Sequence, residues 1–233
     1  MPGRRTNTNS ESVDNYLKAI FALSGPAELR VSSTALANHL GVAPASITNM
    51  LQKLALAAEP LVEYERHRGV RLSGAGKRRA LEVVRHHRLI ETFLYKVLDY
   101  PIEEVHDEAE RLEHFISERF EERIAAKLGH PTIDPHGHSI PSMEGDMPAQ
   151  ASILLTEVRD DGGAFVIESV GDRDPGTLRR LEALGIKAGV RLRVKPRTQQ
   201  RSYTVCVGRS ATAVDLTHEF AGDIRILPLP ARA

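Results

Sequence analysis

The chain has 233 residues, with Lys plus Arg and Asp plus Glu equal at 31 each, one cysteine and no tryptophan. A formal charge of zero excludes a global cationic field, so nucleic acid or membrane must be met by a local patch. The single Cys206 excludes an internal disulfide framework and any thiolate-rich zinc or iron–sulfur site, and no apolar run approaches the roughly 18 residues of a membrane span.

Met1 to Ser12 is polar, carries Arg4 and Arg5 and lacks an apolar leader, so the chain reads as cytoplasmic and soluble. From Glu11 to Leu23, Val13, Tyr16, Leu17, Ile20 and Phe21 have the spacing of an amphipathic helix, which Gly25-Pro26 stops. Val31-Ser32-Ser33-Thr34 offers N-cap hydroxyls to a short helix through Leu40, and Gly41 closes it. Pro44 then opens a helix to Ala57. Ile47, Leu51 and Leu54 form its buried face, while Ser46, Thr48, Asn49 and Lys53 point elsewhere. After Pro60, residues 61–65 and 70–72 flank Arg66-His67-Arg68-Gly69 as a β-hairpin with a basic tip. Helix, turn, helix and hairpin together spell a winged helix-turn-helix. Arg66 and Arg68 supply the phosphate neutralisation that dominates affinity for duplex DNA, and Asn49 is the best base-edge reader, since an amide pairs with adenine. Between Arg66 and Arg88, Arg66, Arg68, Arg71, Lys77, Arg78, Arg79, Arg85 and Arg88 face the lone acid Glu82, which makes this block the local basic patch.

Ser73 caps a long helix to about Leu98, and Pro101 opens another to roughly Leu128, ended by Gly129. In the second, His106, Glu110, Glu113 and His114 lie at i, i+4, i+7 and i+8, a stripe roughly 100° wide beside apolar Val105, Ala109, Leu112 and Ile116. Carboxylates at the edge of a buried seam are costly unless paired or metal-bound. His87 and Glu91 form another i, i+4 pair, and two antiparallel helices would bring the pairs together around a divalent cation. The same spacing also describes surface pairs on an acidic solvated face, so spacing alone leaves both readings open. The donor set lacks sulfur and is rich in carboxylate, which favours Mn²⁺, with Fe²⁺ as the alternative. Residues 129–150 hold prolines, glycines, His130, His136 and His138, and read as a linker. Its Asp134-Pro135-His136-Gly137-His138 segment reads as a solvated turn in preference to a metal site. Beyond it, 153–155, 164–167, 190–194, 203–207 and 224–227 are short strands around one helix, Thr177 to Leu184, suggesting a small SH3-like β-barrel with Cys206 packed inside a strand. The fold class is thus mainly α with a small β domain: a winged helix over 1–74, a helical metal-binding and dimerisation domain over 75–128, a linker over 129–150 and an SH3-like domain over 151–233.

Asp14-Asn15-Tyr16-Leu17, Arg85-His86-His87-Arg88-Leu89-Ile90-Glu91, Val105-His106-Asp107-Glu108-Ala109-Glu110-Arg111-Leu112-Glu113-His114 and Asp134-Pro135-His136-Gly137 together resemble the diphtheria toxin repressor family, including its manganese transport regulators. The resemblance spans nearly the whole chain. It implies a homodimeric, metal-activated repressor of palindromic operators at metal-homeostasis genes. One metal site falls on Glu110, Glu113 and His114 with Asn15 from the first helix. A second falls on His87, Glu91 and His106, completed from the SH3-like domain, where Asp174 is the nearest match. Glu110 stands where iron-sensing members commonly carry cysteine, which makes the chain manganese-type. Asn15 replaces a methionine or aspartate, and Asp134 a cysteine. A winged-helix regulator with a non-metal effector is the alternative reading. A metal-dependent hydrolase is a weaker one, because no nucleophile or general base stands apart from the ligands and an enzyme needs an open coordination position.

Overall fold

The apolar stripe of the first helix and the caps of the next two set the N-terminal architecture. The computed structural model describes residues 8–25, 27–148, 152–158, 163–172, 174–195, 202–208 and 213–229. Arg4, Arg5 and Pro26, named above, lie outside them. The described residues within Met1–His86, Glu113–Ile116 and Pro141–Ala149 form one compact unit, and those within His87–Leu112, Ser117–Ile140 and Gln150–Ala233 another.

In the first unit, α1 (Thr8–Ser24), α2 (Ser33–Leu40) and α3 (Pro44–Ala55) enclose a core with Leu17, Ile20, Leu36, Ile47 and Leu51 fully buried. Ser32 caps α2 by accepting from the Ala35 N–H, and Gly41 ends it at φ 65°. Pro44 begins α3, where its missing N–H costs nothing. β1 (Val62–Glu65) and β2 (Gly69–Leu72) pair in the wing, and Val31 bonds to Val70 in both directions at 2.8 and 2.9 Å, stitching the wing to the α1–α2 connection. A Cβ on Gly69 would lie 2.5 Å from the Val31 carbonyl oxygen, so only glycine permits that approach. α4 (Gly74–Val97) follows, started by the Ser73 hydroxyl, which accepts from the Gly76 N–H at 3.1 Å.

In the second unit the continuous helix expected from Pro101 to Leu128 is two helices, α5 (Val105–Leu112) and α6 (Glu118–Lys127). Ser117 accounts for the break. It is extended (φ −94°, ψ 155°), its hydroxyl accepts from the Phe120 N–H, and Glu118 and Glu121 fill the first turn of α6, where the helix dipole favours acids. Glu113 and His114 therefore lie outside any helix, and the one-stripe geometry holds for His106 and Glu110 alone. The C-terminal part has six strands where five are expected: β3 (Ile153–Leu154), β4 (Ala164–Val170), β5 (Arg191–Val194), β6 (Ser202–Val207), β7 (Ala213–Thr217) and β8 (Ile224–Pro228). They form one antiparallel sheet in the order β3-β8-β4-β5-β6-β7. The unexpected strand, β7, is at the sheet edge with only Leu216 buried, so its sequence carries little alternation. α7 (Pro175–Ala183) and α8 (His218–Gly222) complete the unit, whose core centres on Leu155, Ile167, Leu181, Leu192, Val205, Ile224 and Ile226. Among the described residues no helix is long and apolar enough to cross a membrane.

Candidate metal centre

One turn of α4 places His87 and Glu91 on the same face, and one turn of α5 does the same for His106 and Glu110. The tertiary fold brings both pairs together within the second unit. Glu91 is fully buried, and its Oε1 lies 2.9 Å from His87 Nε2, 3.3 Å from His106 Nδ1 and 3.7 Å from His136 Nδ1. Glu110 Oε1 stands 3.9 Å from His87 Nδ1. Asp172, just past β4, completes the rim, with Oδ2 at 3.8 Å from His106 Nδ1 and 3.4 Å from His138 Nδ1.

The Asp134–His138 segment is not the solvated turn expected of it. Asp134 Oδ1 accepts from the backbone N–H of His136 and of His138, both at 2.9 Å, closing an Asx-type turn. The His136 carbonyl accepts from the Val170 N–H at 3.0 Å, which docks the turn on β4. Gly137, at φ 94°, lies so close to β4 that a Cβ would sit 2.0 Å from the Glu168 carbonyl oxygen. His136 is consequently fully buried. Its Nε2 is 3.3 Å from the Ile102 carbonyl, an acceptor that selects the Nε2–H tautomer and leaves Nδ1 facing Glu91. Asp172 and this turn are the centre's members that helix spacing missed; the Asp-x-His-Gly pattern of an Asx turn with glycine was the available signal.

Asp174, assigned above to the second site, is placed at the N-terminus of α7. It caps α7, its carboxylate accepting from the Thr177 N–H and hydroxyl at 2.9 and 2.6 Å. Those bonds hold its carboxyl below the ordinary range. Asp172, two residues earlier, is the acid that faces the imidazoles.

Burial pushes the Glu91 carboxyl up, but the attraction of His87, the His106 hydrogen bond and the facing His136 imidazole outweigh it and hold Glu91 well below its ordinary range. Burial likewise opposes charging His136, yet Glu91, Asp134 and Asp172 push it up to about 9. His138 is raised for the same kind of reason, burial being overcome by Asp134 and Asp172. Glu91 Oε2 is buried without a hydrogen-bond partner among the described residues. A buried carboxylate oxygen left unpaired is costly, and a cation relieves the cost. His87 with His106 and Glu110, and Glu91 with His106 and Asp172, each present donor atoms within 4.8 Å of one another. Imidazole and carboxylate converging without sulfur fit a hard or borderline divalent ion.

The first unit holds a separate cluster. His114 Nε2 is 2.8 Å from Asn15 Oδ1 and 3.4 Å from Glu113 Oε1, and His114 Nδ1 is 3.7 Å from Asp14 Oδ2. Burial pushes the Asp14 carboxyl up, but His114 and Arg79, the latter at 2.5 Å, hold it below its ordinary range. Asn15, Glu113 and His114 thus lie together in the first unit, and Glu110 stands beside His87 in the second.

On the exposed side of α3, Ser46, Asn49 and Lys53 face solvent, whereas the half-buried Thr48 turns its hydroxyl back to the Pro44 carbonyl at 3.2 Å. The basic block from Arg66 to Arg88 is not one free patch. Arg68 pairs with Glu65, Arg71 with Glu63, Lys77 with Glu28 and Arg79 with Asp14, and Arg88 reaches the Ser139 carbonyl and Asp134. Glu28 and Asp14 come from distant sequence and Glu63 and Glu65 from just before the block, so a charge count begun at Arg66 overlooks them all. Arg66 remains exposed at the wing tip with no ion pair among the described residues.

The raised imidazoles give a pH prediction for the metal-free protein. A group that binds its proton more tightly when folded stabilises fully below its unfolded pKa and loses that contribution as pH rises through the folded one. In chelator, the contribution of His136 should therefore fall away between pH 6.5 and about 9, by at most about 1.4 kcal/mol per pH unit. His136→Gln should flatten the decline. Thermal melts across this range check it, and a metal-free protein no weaker at the alkaline end contradicts it.

Residues 9–70 match the iron-dependent repressor N-terminal DNA-binding domain, residues 73–142 its metal-binding and dimerisation domain, and residues 155–228 the FeoA domain. The iron-dependent repressor IdeR of Mycobacterium tuberculosis is 33% identical over 229 residues, covering 93% of this chain and 96% of the relative. The regulator MntR of Oceanobacillus iheyensis is 34% identical over 114 residues, 48% of this chain and 74% of the relative. A solved manganese-dependent transcriptional repressor in complex with manganese shares the fold at a TM-score of 0.84 and 38% identity, over 93% of this chain and all of that one (100%).

Proposed function

We propose, from the premise that the chain belongs to the iron-dependent repressor family, that divalent-metal occupancy of its imidazole–carboxylate clusters governs its hold on operator DNA. The chain is a homodimeric, metal-dependent transcriptional repressor that binds DNA, and not an enzyme. The observation that carries the metal reading is Glu91, fully buried among His87, His106 and His136 with one oxygen unpartnered among the described residues. A bound divalent ion supplies there the positive charge that protonated imidazole supplies without it.

His87, Glu91 and His106 would hold this ion, joined by Asp172 in the place first given to Asp174, with Glu110 beside His87. His136 is oriented toward it by the Ile102 carbonyl, and Arg88 steadies the Asp134 carboxylate that shapes the turn. Asn15, Glu113 and His114 form the ligand group of the first unit. Mn²⁺ is the effector supported best, because Glu110 offers oxygen where a thiolate would favour a softer ion, with Fe²⁺ as the alternative. The segments 1–74, 75–128, 129–150 and 151–233 serve as the DNA-binding, metal-binding and dimerisation, linker and SH3-like parts. The setting is the cytoplasm, and the targets are palindromic operators of metal-homeostasis genes.

The exposed face of α3 reads the major groove and the wing grips the backbone. Arg66→Ala should weaken binding to all sequences alike and lower the salt slope by about 1. Arg68→Ala should act less, since Arg68 is tied to Glu65. Asn49→Ala should cost about 1–3 kcal/mol at one base pair and relax preference there, with Ser46, Thr48 and Lys53 contributing less. Fluorescence anisotropy with matched and mismatched duplexes separates these effects. The metal reading is tested by titrating a promoter fragment in Mn²⁺, Fe²⁺, Zn²⁺ and chelator. Tighter binding in Mn²⁺ or Fe²⁺ supports it, and one affinity throughout overturns it.

A further inference from the structure

Lys18 on α1 lies one helical turn past Asn15, and its ammonium rests on both oxygens of Glu113, at 3.0 Å from Oε1 and 2.7 Å from Oε2. The Glu113 side chain is wholly buried and that of Lys18 is 18% exposed. His114 Nε2 and Asn15 Oδ1 stand in the same cluster, so a cation already sits where the donor atoms of the first unit converge. We propose that Lys18 is an internal counter-cation that occupies the Glu113 carboxylate in the metal-free protein and must be displaced for a divalent ion to bind, thereby setting the metal concentration at which the site fills.

The argument is one of charge. Lys18 faces Glu113 and Arg79 faces Asp14, so each of these buried carboxylates already has a cationic partner without metal. A divalent ion on Glu113 would place two further positive charges within a few ångströms of the ammonium, in a region too buried for water to screen them well. Arg79 cannot yield, because its guanidinium is held by Asp14. Lys18 can: its side chain is flexible, with four rotatable carbons, and is not wholly buried. Metal binding at this site is therefore an exchange of one cation for another, weaker than the ligand set alone would make it.

The proposal rests on the assignment of Asn15, Glu113 and His114 as metal ligands, and the experiment separates the two. Calorimetric titration of the full-length protein with Mn²⁺ is compared for the unmodified chain, Lys18→Met, Lys18→Arg and His114→Ala. Lys18→Met is expected to tighten the His114-dependent binding about ten- to a hundredfold, the size of a charge-assisted bond that no longer has to be broken. Lys18→Arg, which keeps the cation, should remain within a few-fold of the unmodified protein. Unchanged or weaker binding by Lys18→Met overturns the displacement while leaving the ligand assignment standing. Loss of no binding event in His114→Ala overturns the ligand assignment and the displacement with it. A second measurement needs no variant: labelling with an amine-reactive reagent followed by peptide mass spectrometry should show Lys18 more reactive in Mn²⁺ than in chelator. Equal or lower reactivity in Mn²⁺ overturns the proposal.

Discussion

Operator affinity should rise roughly 5- to 150-fold when Mn²⁺ replaces chelator, the range of a coupling free energy of about 1–3 kcal/mol between two sites. Linkage makes the effect reciprocal, so operator DNA must tighten Mn²⁺ binding by the same factor. Glu113→Ala or His114→Ala should abolish the metal effect and leave the weak, salt-sensitive affinity that phosphate contacts provide. His87→Ala or Glu91→Ala should blunt it, because the second-unit cluster retains other imidazoles and the Asp172 carboxylate. Anisotropy with a palindromic operator, read for each variant with Mn²⁺ and with chelator, measures all of these. Equal affinity of the unmodified protein in the two conditions would refute metal-dependent repression however well the ligands converge.

Gly137→Ala should be among the most damaging single substitutions in the second unit. A methyl there would sit 2.0 Å from the Glu168 carbonyl oxygen and 2.8 Å from the Ala188 Cβ, on a backbone at φ 94°. Neither β4 nor the turn can accommodate this without moving, so the expected loss is about 3 kcal/mol or more. The turn's displacement would also withdraw His136 from Glu91 and weaken metal binding there. Gly129→Ala is the control. Gly129 has a positive φ of 74° but open space around it, so the change should cost only about 1 kcal/mol. Urea unfolding of both variants in chelator, followed by Mn²⁺ titration, tests the contrast, and similar losses for the two would show that conformation and not contact governs Gly137.

Periodicity and capping chemistry suffice for most of the helices. Ser32, Gly41 and Pro44 bound α2 and the start of α3 through bonds that span at most four residues, and such local chemistry is written in local sequence. The i, i+4 pairs His87–Glu91 and His106–Glu110 are recoverable for the same reason. Ser117 is an equally local signal, and overlooking it joins α5 to α6 and keeps Glu113 and His114 on a stripe they do not share.

What spacing cannot supply is the meeting of segments far apart in the chain, because burial and long-range pairing are properties of the packed state. The chain order offers both Asp172 and Asp174; packing turns Asp174 to its own helix N-terminus and Asp172 to the imidazoles. His136 reads as a surface histidine until β4 covers its turn and buries it against Glu91. The basic run from Arg66 to Arg88 reads as one patch until Glu28 and Asp14, from far earlier in the chain, arrive to pair with Lys77 and Arg79. Composition and periodicity therefore establish the helices, the wing and the ligand types, while the partner of each charged group follows from folding, since a charge interacts with what is near it in space and not along the chain.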